Sequence, residues 1–130
     1  MPPRKADDVP GISDAEWEVM KAIWDRHPAA AQDVVRRLEG RRDWSPRTIK
    51  TMLNRLVRKG ALAFRPEGNR YLYSPAVSRA ECIRAESQSF LHRVFEGSAG
   101  PMLVHFVRNA RLSERDLAEL RKILDEKQEA

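Results

Sequence analysis

Several kinds of residue are scarce in this chain, and each scarcity excludes a class of protein. The single cysteine, Cys82, rules out the disulfide framework on which small secreted domains depend. No apolar run approaches the roughly 20 residues of a membrane-spanning helix. The N-terminal residues are charged and lack the apolar core of a secretory signal. We therefore expect a cytoplasmic protein that is not inserted into a membrane.

Residues that support catalysis or metal binding are equally few. The three histidines, His27, His92 and His105, have no cysteine or carboxylate partner at ligand spacing. There is no glycine-rich phosphate loop and no nucleophile motif. We therefore expect no enzymatic activity, no metal site and no cofactor.

Acidic residues are nearly absent from one part of the chain. The net charge is +5, and residues 1–77 carry all of it because residues 78–130 contain nine basic and nine acidic side chains. Residues 41–73 contain nine basic and only two acidic residues. Such a local basic patch favours a polyanionic partner, although a solvated arginine-rich surface is the alternative.

The segment 44–60 is the most informative and predicts one self-contained helix. Ser45 suits the N-cap, Pro46 suits the first helical position, and Gly60 suits a left-handed C-terminal turn. An apolar stripe at spacings of three and four residues predicts a buried face: Ile49, Met52, Leu53 and Leu56.

The opposite face of this helix carries only side chains that bind phosphates or base edges. No acid interrupts the set, which consists of Arg47, Thr48, Lys50, Thr51, Asn54, Arg55 and Arg58. A helix with one apolar face and one such polar face fits the major groove of a DNA duplex.

The elements around this helix predict a winged helix-turn-helix domain over residues 12–77, preceded by a flexible arm at 1–11. A capping box at 13–16 starts a first helix that stops before Pro28, with Trp17, Met20, Ile23 and Trp24 as its buried face. A second helix is expected over 31–39. After Gly60 the apolar period becomes two, which predicts a hairpin with a turn at 66–69 flanked by Arg65 and Arg70.

Residues 78–130 predict three more helices, so the fold class is mainly α with a small β-hairpin. One helix is expected from Ser78 to Glu96, a chain break at Gly97 and Gly100-Pro101, a short apolar helix over 102–107, and a last helix from Ser113. A lobe of this size seldom supplies more than about 3–5 kcal/mol of stability alone.

We therefore predict that this lobe dimerises, the alternative being that it folds back onto the winged domain. The predicted interface consists of the apolar side chains on its helices: Ile83, Phe90, Leu91, Val94, Leu103, Phe106, Leu117, Leu120 and Leu124.

Four stretches of the chain resemble the penicillinase and methicillin-resistance repressor family, which also contains copper-responsive repressors. They are residues 12–20, Ile23-Trp24, the helix at 44–60, and the Arg-Tyr-Leu-Tyr-Ser-Pro sequence at 70–75. The similarity extends from about Ile12 to Leu124. It implies a homodimeric repressor that binds an inverted repeat built on TACA and TGTA.

The resemblance also implies which residues bind the operator. Arg47, Thr48, Lys50, Thr51 and Arg55 match the family's recognition-helix contacts. From their chemistry we add Asn54, Arg65 and Arg70, while Trp44 either abuts a phosphate or belongs to the core. Which residues read bases and which hold phosphates stays open.

The resemblance also implies a mode of induction. In family members that have a membrane sensor, the repressor is inactivated by proteolysis within its dimerisation lobe. The bond that matches the family's cleavage site is His105-Phe106, where histidine stands in place of the family's asparagine; the alternative is that Phe106 is interface core. A single cysteine disfavours copper sensing through a cysteine cluster. Release by a small ligand, or a role as a non-specific nucleic-acid-binding module, are the remaining alternatives.

Overall fold

The computed structural model describes residues 8–129, so residues 1–7 of the predicted arm and Ala130 lie outside the described part. Its elements are α1 Asp14–Asp25, β1 Ala29–Ala30, α2 Ala31–Leu38, α3 Pro46–Lys59, β2 Leu62–Glu67, β3 Arg70–Pro75, α4 Arg79–Phe95, α5 Ala99–Asn109 and α6 Glu114–Glu129. The chain divides into two compact units, one up to Gln88 and one from Ser89 onward, and the division falls within α4. The predicted fold class, mainly helical with a small hairpin, is confirmed.

The helix starts that were predicted from capping signals are confirmed. At α1, Glu16 N–H donates to Ser13 Oγ over 3.2 Å and Ser13 N–H donates to Glu16 Oε1 over 2.9 Å. The same reciprocal pair joins Ser78 and Glu81 before α4. Each box satisfies two backbone donors that the helix itself leaves unpaired.

The core of the first unit lies between α1, α2, α3 and the base of the sheet. Its fully buried side chains include Met20, Ile23, Val34, Leu53 and Leu56. The prediction for α1 was wrong in part, because Trp17 and Trp24 are only half-buried while Val19 and Ala22 are buried. The two tryptophans pack edge to face, with ring centroids 5.4 Å apart.

The sheet is antiparallel with strand order β1-β3-β2, and it corrects the predicted hairpin. The turn contains only Gly68 and Asn69, because Glu67 pairs with Arg70 and Pro66 pairs with Tyr71. Pro66 is accommodated because β2 is an edge strand, where a missing N–H leaves no ladder partner unsatisfied. The two-residue strand β1 was not predicted.

The predicted chain break is confirmed at Gly97, which follows the end of α4 with φ at +85°, but it is wrong at Gly100-Pro101. Gly100 and Pro101 lie inside the first turn of α5, which begins at Ala99. Proline fits there because the first N–H groups of a helix have no intrahelical acceptor. Two helices end one residue earlier than predicted: α2 ends at Leu38 instead of Glu39, and α4 ends at Phe95 instead of Glu96.

Gly60 ends α3 as the sequence predicted, with φ at +83°. Its N–H donates to Val57 O over 3.0 Å, and Ala61 N–H donates to Leu56 O over 2.9 Å. A side chain in this left-handed conformation costs about 1–2 kcal/mol.

We expect Gly60→Ala to lower the free energy of unfolding by about 1 kcal/mol, because alanine is strained in the left-handed region. Urea unfolding followed by circular dichroism measures this. Gly100→Ala is the matched control: Gly100 is helical and nothing lies within 4 Å of its added Cβ, so that change should be neutral or stabilising. Equal losses in both variants would contradict the role assigned to Gly60.

Candidate nucleic-acid interface

The helix α3 is held at both ends and buried along one face, so its other face is presented to solvent. Ser45 Oγ accepts from Thr48 N–H over 3.1 Å at the N-terminus. Four apolar side chains fix the helix to the core, with exposed fractions of 5% or less: Ile49, Met52, Leu53 and Leu56. The six predicted contact residues of this helix are all exposed: Arg47, Thr48, Lys50, Thr51, Asn54 and Arg55.

The charged groups on this face have no acidic partner within residues 8–129. The ion pairs found in that part of the chain involve none of Arg47, Lys50 and Arg55. Thr51 Oγ1 donates to Arg47 O over 3.0 Å, which leaves the threonine methyl and a hydroxyl lone pair for a ligand. The face is therefore a cluster of solvated cations and short polar groups.

The wing is the hairpin of β2 and β3, and it carries the two predicted arginines. Arg65 and Arg70 are both exposed. The register puts Arg65 opposite Leu72 and Arg70 opposite Glu67, so both arginines lie on the same side of the hairpin. Arg70 lies 3.8 Å from Glu67 Oε1, an exposed pair that water screens strongly.

Trp44 precedes α3, and its ring packs against the core while remaining half-buried. The guanidinium of Arg42 lies 5.5 Å from the centre of that ring. The ring thus contributes to the core, and contact of its indole N–H with a phosphate stays a prediction.

An ion pair that the sequence did not reveal ties the end of α3 to the start of α1. Lys59 Nζ pairs with Glu16 Oε1 and also donates to Gly11 O over 3.0 Å. Glu16 was recognised as a capping residue, but nothing local in the sequence indicates a partner 43 positions away. The contact fixes the C-terminal end of the exposed helix relative to the domain.

Glu16 is buried, and its ionisation contributes to stability. Burial raises the pKa of Glu16, but hydrogen bonds from Lys59 and Ser13, together with the charge of Lys59, outweigh this and hold the pKa below its ordinary value of 4.5. A carboxyl group whose pKa is lower in the folded state stabilises the fold above its unfolded pKa. That stabilisation is lost as the pH falls through the folded value.

We expect Glu16→Gln to lower the free energy of unfolding by about 1–3 kcal/mol at pH 7, because glutamine keeps the capping box but loses the charge facing Lys59. The difference from the parent protein should shrink as the pH falls below about 4.5. Denaturant unfolding at pH 3 to 7 measures it. Glu18→Gln is the control, since its ion pairs with Lys21 and Arg42 both lie at the surface and their loss should cost little.

The second unit presents apolar side chains to solvent. No residue from Ser89 to Glu129 is buried. Five of the predicted interface residues are exposed: Ile83, Val94, Leu103, Phe106 and Leu124. The other four are half-buried: Phe90, Leu91, Leu117 and Leu120. Ile83 belongs to the first unit. Within the unit, Phe90 stacks on Phe106 with ring centroids 5.9 Å apart.

The predicted cleavage bond lies in the interior of α5. His105 and Phe106 are both exposed, and Asn109 Nδ2 donates to His105 O over 2.9 Å. Across residues 8–129, no three His, Cys, Asp or Glu side chains come together as a metal site would require. Within the same residues, no helix combines the length and the apolarity needed to cross a bilayer.

Comparison with known proteins decides the family. Residues 12–126 match the sequence model of the family described as penicillinase repressor. The chain belongs to the penicillinase repressor family. It is 42% identical to the penicillinase repressor of Bacillus licheniformis over 91% of this chain and 92% of that protein. It is 34% identical to the methicillin resistance regulatory protein MecI of Mammaliicoccus sciuri over 89% of this chain and 94% of MecI.

Two solved structures of the repressor BlaI resemble part of this penicillinase repressor family member. The solution structure of the BlaI DNA-binding domain is 44% identical, covers 56% of this chain and 89% of its own, and gives a TM-score of 0.52. The monomeric form of Bacillus licheniformis BlaI in complex with the blaP half-operator is also 44% identical with the same coverage, at a TM-score of 0.50. The resemblance stated from the sequence is thus confirmed.

Proposed function

We propose that this protein is a sequence-specific DNA-binding transcriptional repressor and that α3 is its recognition helix. The observation that carries the proposal is the exposed face of α3, where arginine, lysine, threonine and asparagine side chains stand without an acid. These groups donate to phosphates and read base edges in a major groove about as wide as one helix. The likeness to the monomeric form of BlaI, whose structure was solved in complex with the blaP half-operator, supports the same use here.

The roles of the individual residues follow from their chemistry. Arg55 and Lys50 reach guanine O6 and N7 or a phosphate, and the methyls of Thr48 and Thr51 suit the methyl group of thymine. Arg47, Arg65 and Arg70 are assigned to the backbone, since exposed arginines beside a groove pair with phosphates. Asn54 lies at the edge of the same face.

We propose further that the protein acts as a homodimer on an inverted repeat of the TACA and TGTA type. The exposed apolar side chains of the second unit support dimerisation, because contiguous apolar surface on a small lobe is stabilised by burial against a partner. Two recognition helices related by a two-fold axis read two half-sites. The genes under control are, by relation to the family, those of β-lactam resistance or a related stress response, and the protein acts in the cytoplasm without catalysing a reaction.

Induction by proteolysis within the dimerisation lobe is the mode of release that we favour. The bond assigned is His105-Phe106, and the protease would be a membrane sensor. Because proteases bind extended segments, cleavage requires local unwinding of α5. His105 and Phe106 are both exposed in the protomer. Cutting the lobe removes the gain in effective concentration that a dimer has on two half-sites.

Fluorescence anisotropy on an inverted-repeat duplex and on a scrambled duplex, across a salt series, tests the function. We expect a preference of about 10³ for the repeat at physiological salt. Equal affinities with the same steep salt slope would mean binding to the backbone alone and would contradict the proposal.

A further inference from the structure

A cleft beside α3 contains side chains that the sequence did not single out as binding residues. The cleft has a volume of about 620 Å³ and lies between the N-terminal half of α2, one side of α3 and the strand β3. Lys50 and Asn54 line it from α3, Arg70 and Tyr71 line it from the wing, and Arg36 lines it from α2. All of these residues are exposed and belong to the first unit.

Tyr71 lies at the wing side of this cleft and is supported by a second aromatic ring. Its ring packs edge to face against Phe64, with centroids 4.8 Å apart and an interplanar angle of 75°. Both are large apolar side chains left about half exposed, 52% for Tyr71 and 49% for Phe64. Strand alternation puts them on the same side of the hairpin as the buried Tyr73, which also lines the cleft.

The charges around the cleft favour an anionic occupant. Arg36, Lys50 and Arg70 contribute positive charge, while Asp33 is the one acidic residue among the lining. Asp33 Oδ2 already accepts from Ala30 N–H over 2.9 Å at the start of α2. The cleft is continuous with the basic face of α3, because Lys50 and Asn54 belong to both.

We propose that this cleft holds one sugar–phosphate strand of the duplex and that Tyr71 is a DNA-binding residue. The phenol ring covers the apolar face of a deoxyribose, and its hydroxyl donates to a phosphate oxygen. Phe64 is a positioning residue that keeps the Tyr71 ring turned towards α3. This inference rests on the proposed DNA-binding function. It adds an uncharged backbone contact, which reads no base, to the charged phosphate contacts assigned to the arginines.

The test is anisotropy on the inverted-repeat and scrambled duplexes across a salt series with Tyr71→Ala, Tyr71→Phe, Phe64→Ala and Arg70→Gln. We expect Tyr71→Ala to weaken both duplexes by roughly tenfold without changing the salt slope, because the lost contact is uncharged. Tyr71→Phe should recover part of this loss, and Phe64→Ala should fall between the two. Arg70→Gln should instead reduce the slope by about 0.9, as loss of one phosphate contact does.

Thermal unfolding of each variant, together with titration of the fraction that is competent to bind DNA, separates binding from folding. If Tyr71 had only a structural role, Tyr71→Ala would lower the Tm and the fraction of binding-competent protein, and the folded molecules would keep their affinity. Tyr71→Phe would then have no effect. That result would overturn the inference. Unchanged affinity in Tyr71→Ala while the parent binds the repeat specifically would also overturn it and leave the repressor function standing. A parent protein that binds neither duplex would overturn both.

Discussion

Replacing Val94 and Leu124 together by glutamate is expected to give a folded monomer whose affinity for the inverted repeat falls about 100-fold or more. A dimer whose first half binds one half-site holds its second half at a high local concentration beside the other. A monomer has to bind each half-site independently. The affinity for an isolated half-site should stay unchanged, because α3 and the wing are untouched.

Val94 and Leu124 suit this experiment because their side chains are largely free in the protomer. They are 52% and 58% exposed, so a charge at either position has access to water while the protein is monomeric. Phe90 and Phe106 are poorer choices, since each stacks on the other inside the lobe and its loss would disturb the protomer itself. Burying two glutamates in an apolar interface costs several kcal/mol per unpaired charge.

The matched control is the double variant Ser89→Glu and Ala118→Glu, which adds the same two charges to α4 and α6 at exposed positions away from the apolar stripes. Sedimentation equilibrium measures the oligomeric state, and circular dichroism measures helix content. A Val94→Glu/Leu124→Glu protein that still sediments as a dimer would refute the assigned interface. One that becomes a monomer yet keeps full affinity for the repeat would refute the dimer's role in binding.

Local signals in the sequence predicted the elements that position the recognition face. Helix α3 begins after Ser45 and ends at Gly60 as expected, because a cap and a left-handed turn each act within a few residues. The four buried residues of α3 were found because a helix that packs on a core must repeat its apolar residues every three or four positions. The exposure of the opposite face follows from the same periodicity.

Features that depend on contacts between distant segments were missed. The pairing of Lys59 with Glu16 joins two helices that are separate in sequence, and β1 exists only because Ala29 and Ala30 pair with Tyr73 and Leu72. Pro66 was assigned to the turn because proline usually ends a strand, whereas an edge strand tolerates it. The cleft beside Tyr71 forms only when α2, α3 and the wing have come together, so no single sequence motif predicts it.

Two neighbouring positions of α3 should separate stability from recognition. Leu53 is fully buried and Arg55 is exposed, although only one residue lies between them. We expect Leu53→Ala to lower the free energy of unfolding by about 2–5 kcal/mol, because it leaves a cavity in the core of the first unit. The affinity of the molecules that remain folded should change little. Urea unfolding measures the first quantity, and anisotropy with active-fraction titration measures the second.

Arg55→Ala should show the reverse pattern. Stability should change by less than about 0.5 kcal/mol, as is usual at an exposed site without a partner. Affinity for the inverted repeat should fall by about 1–3 kcal/mol, and by much less for the scrambled duplex, if Arg55 reads a base. An equal loss on both duplexes, with a salt slope reduced by about 0.9, would instead assign Arg55 to a phosphate. If Arg55→Ala lowered stability without lowering affinity, Arg55 would not be a DNA-binding residue. Lys50 would then be the remaining cation assigned to read bases in the groove.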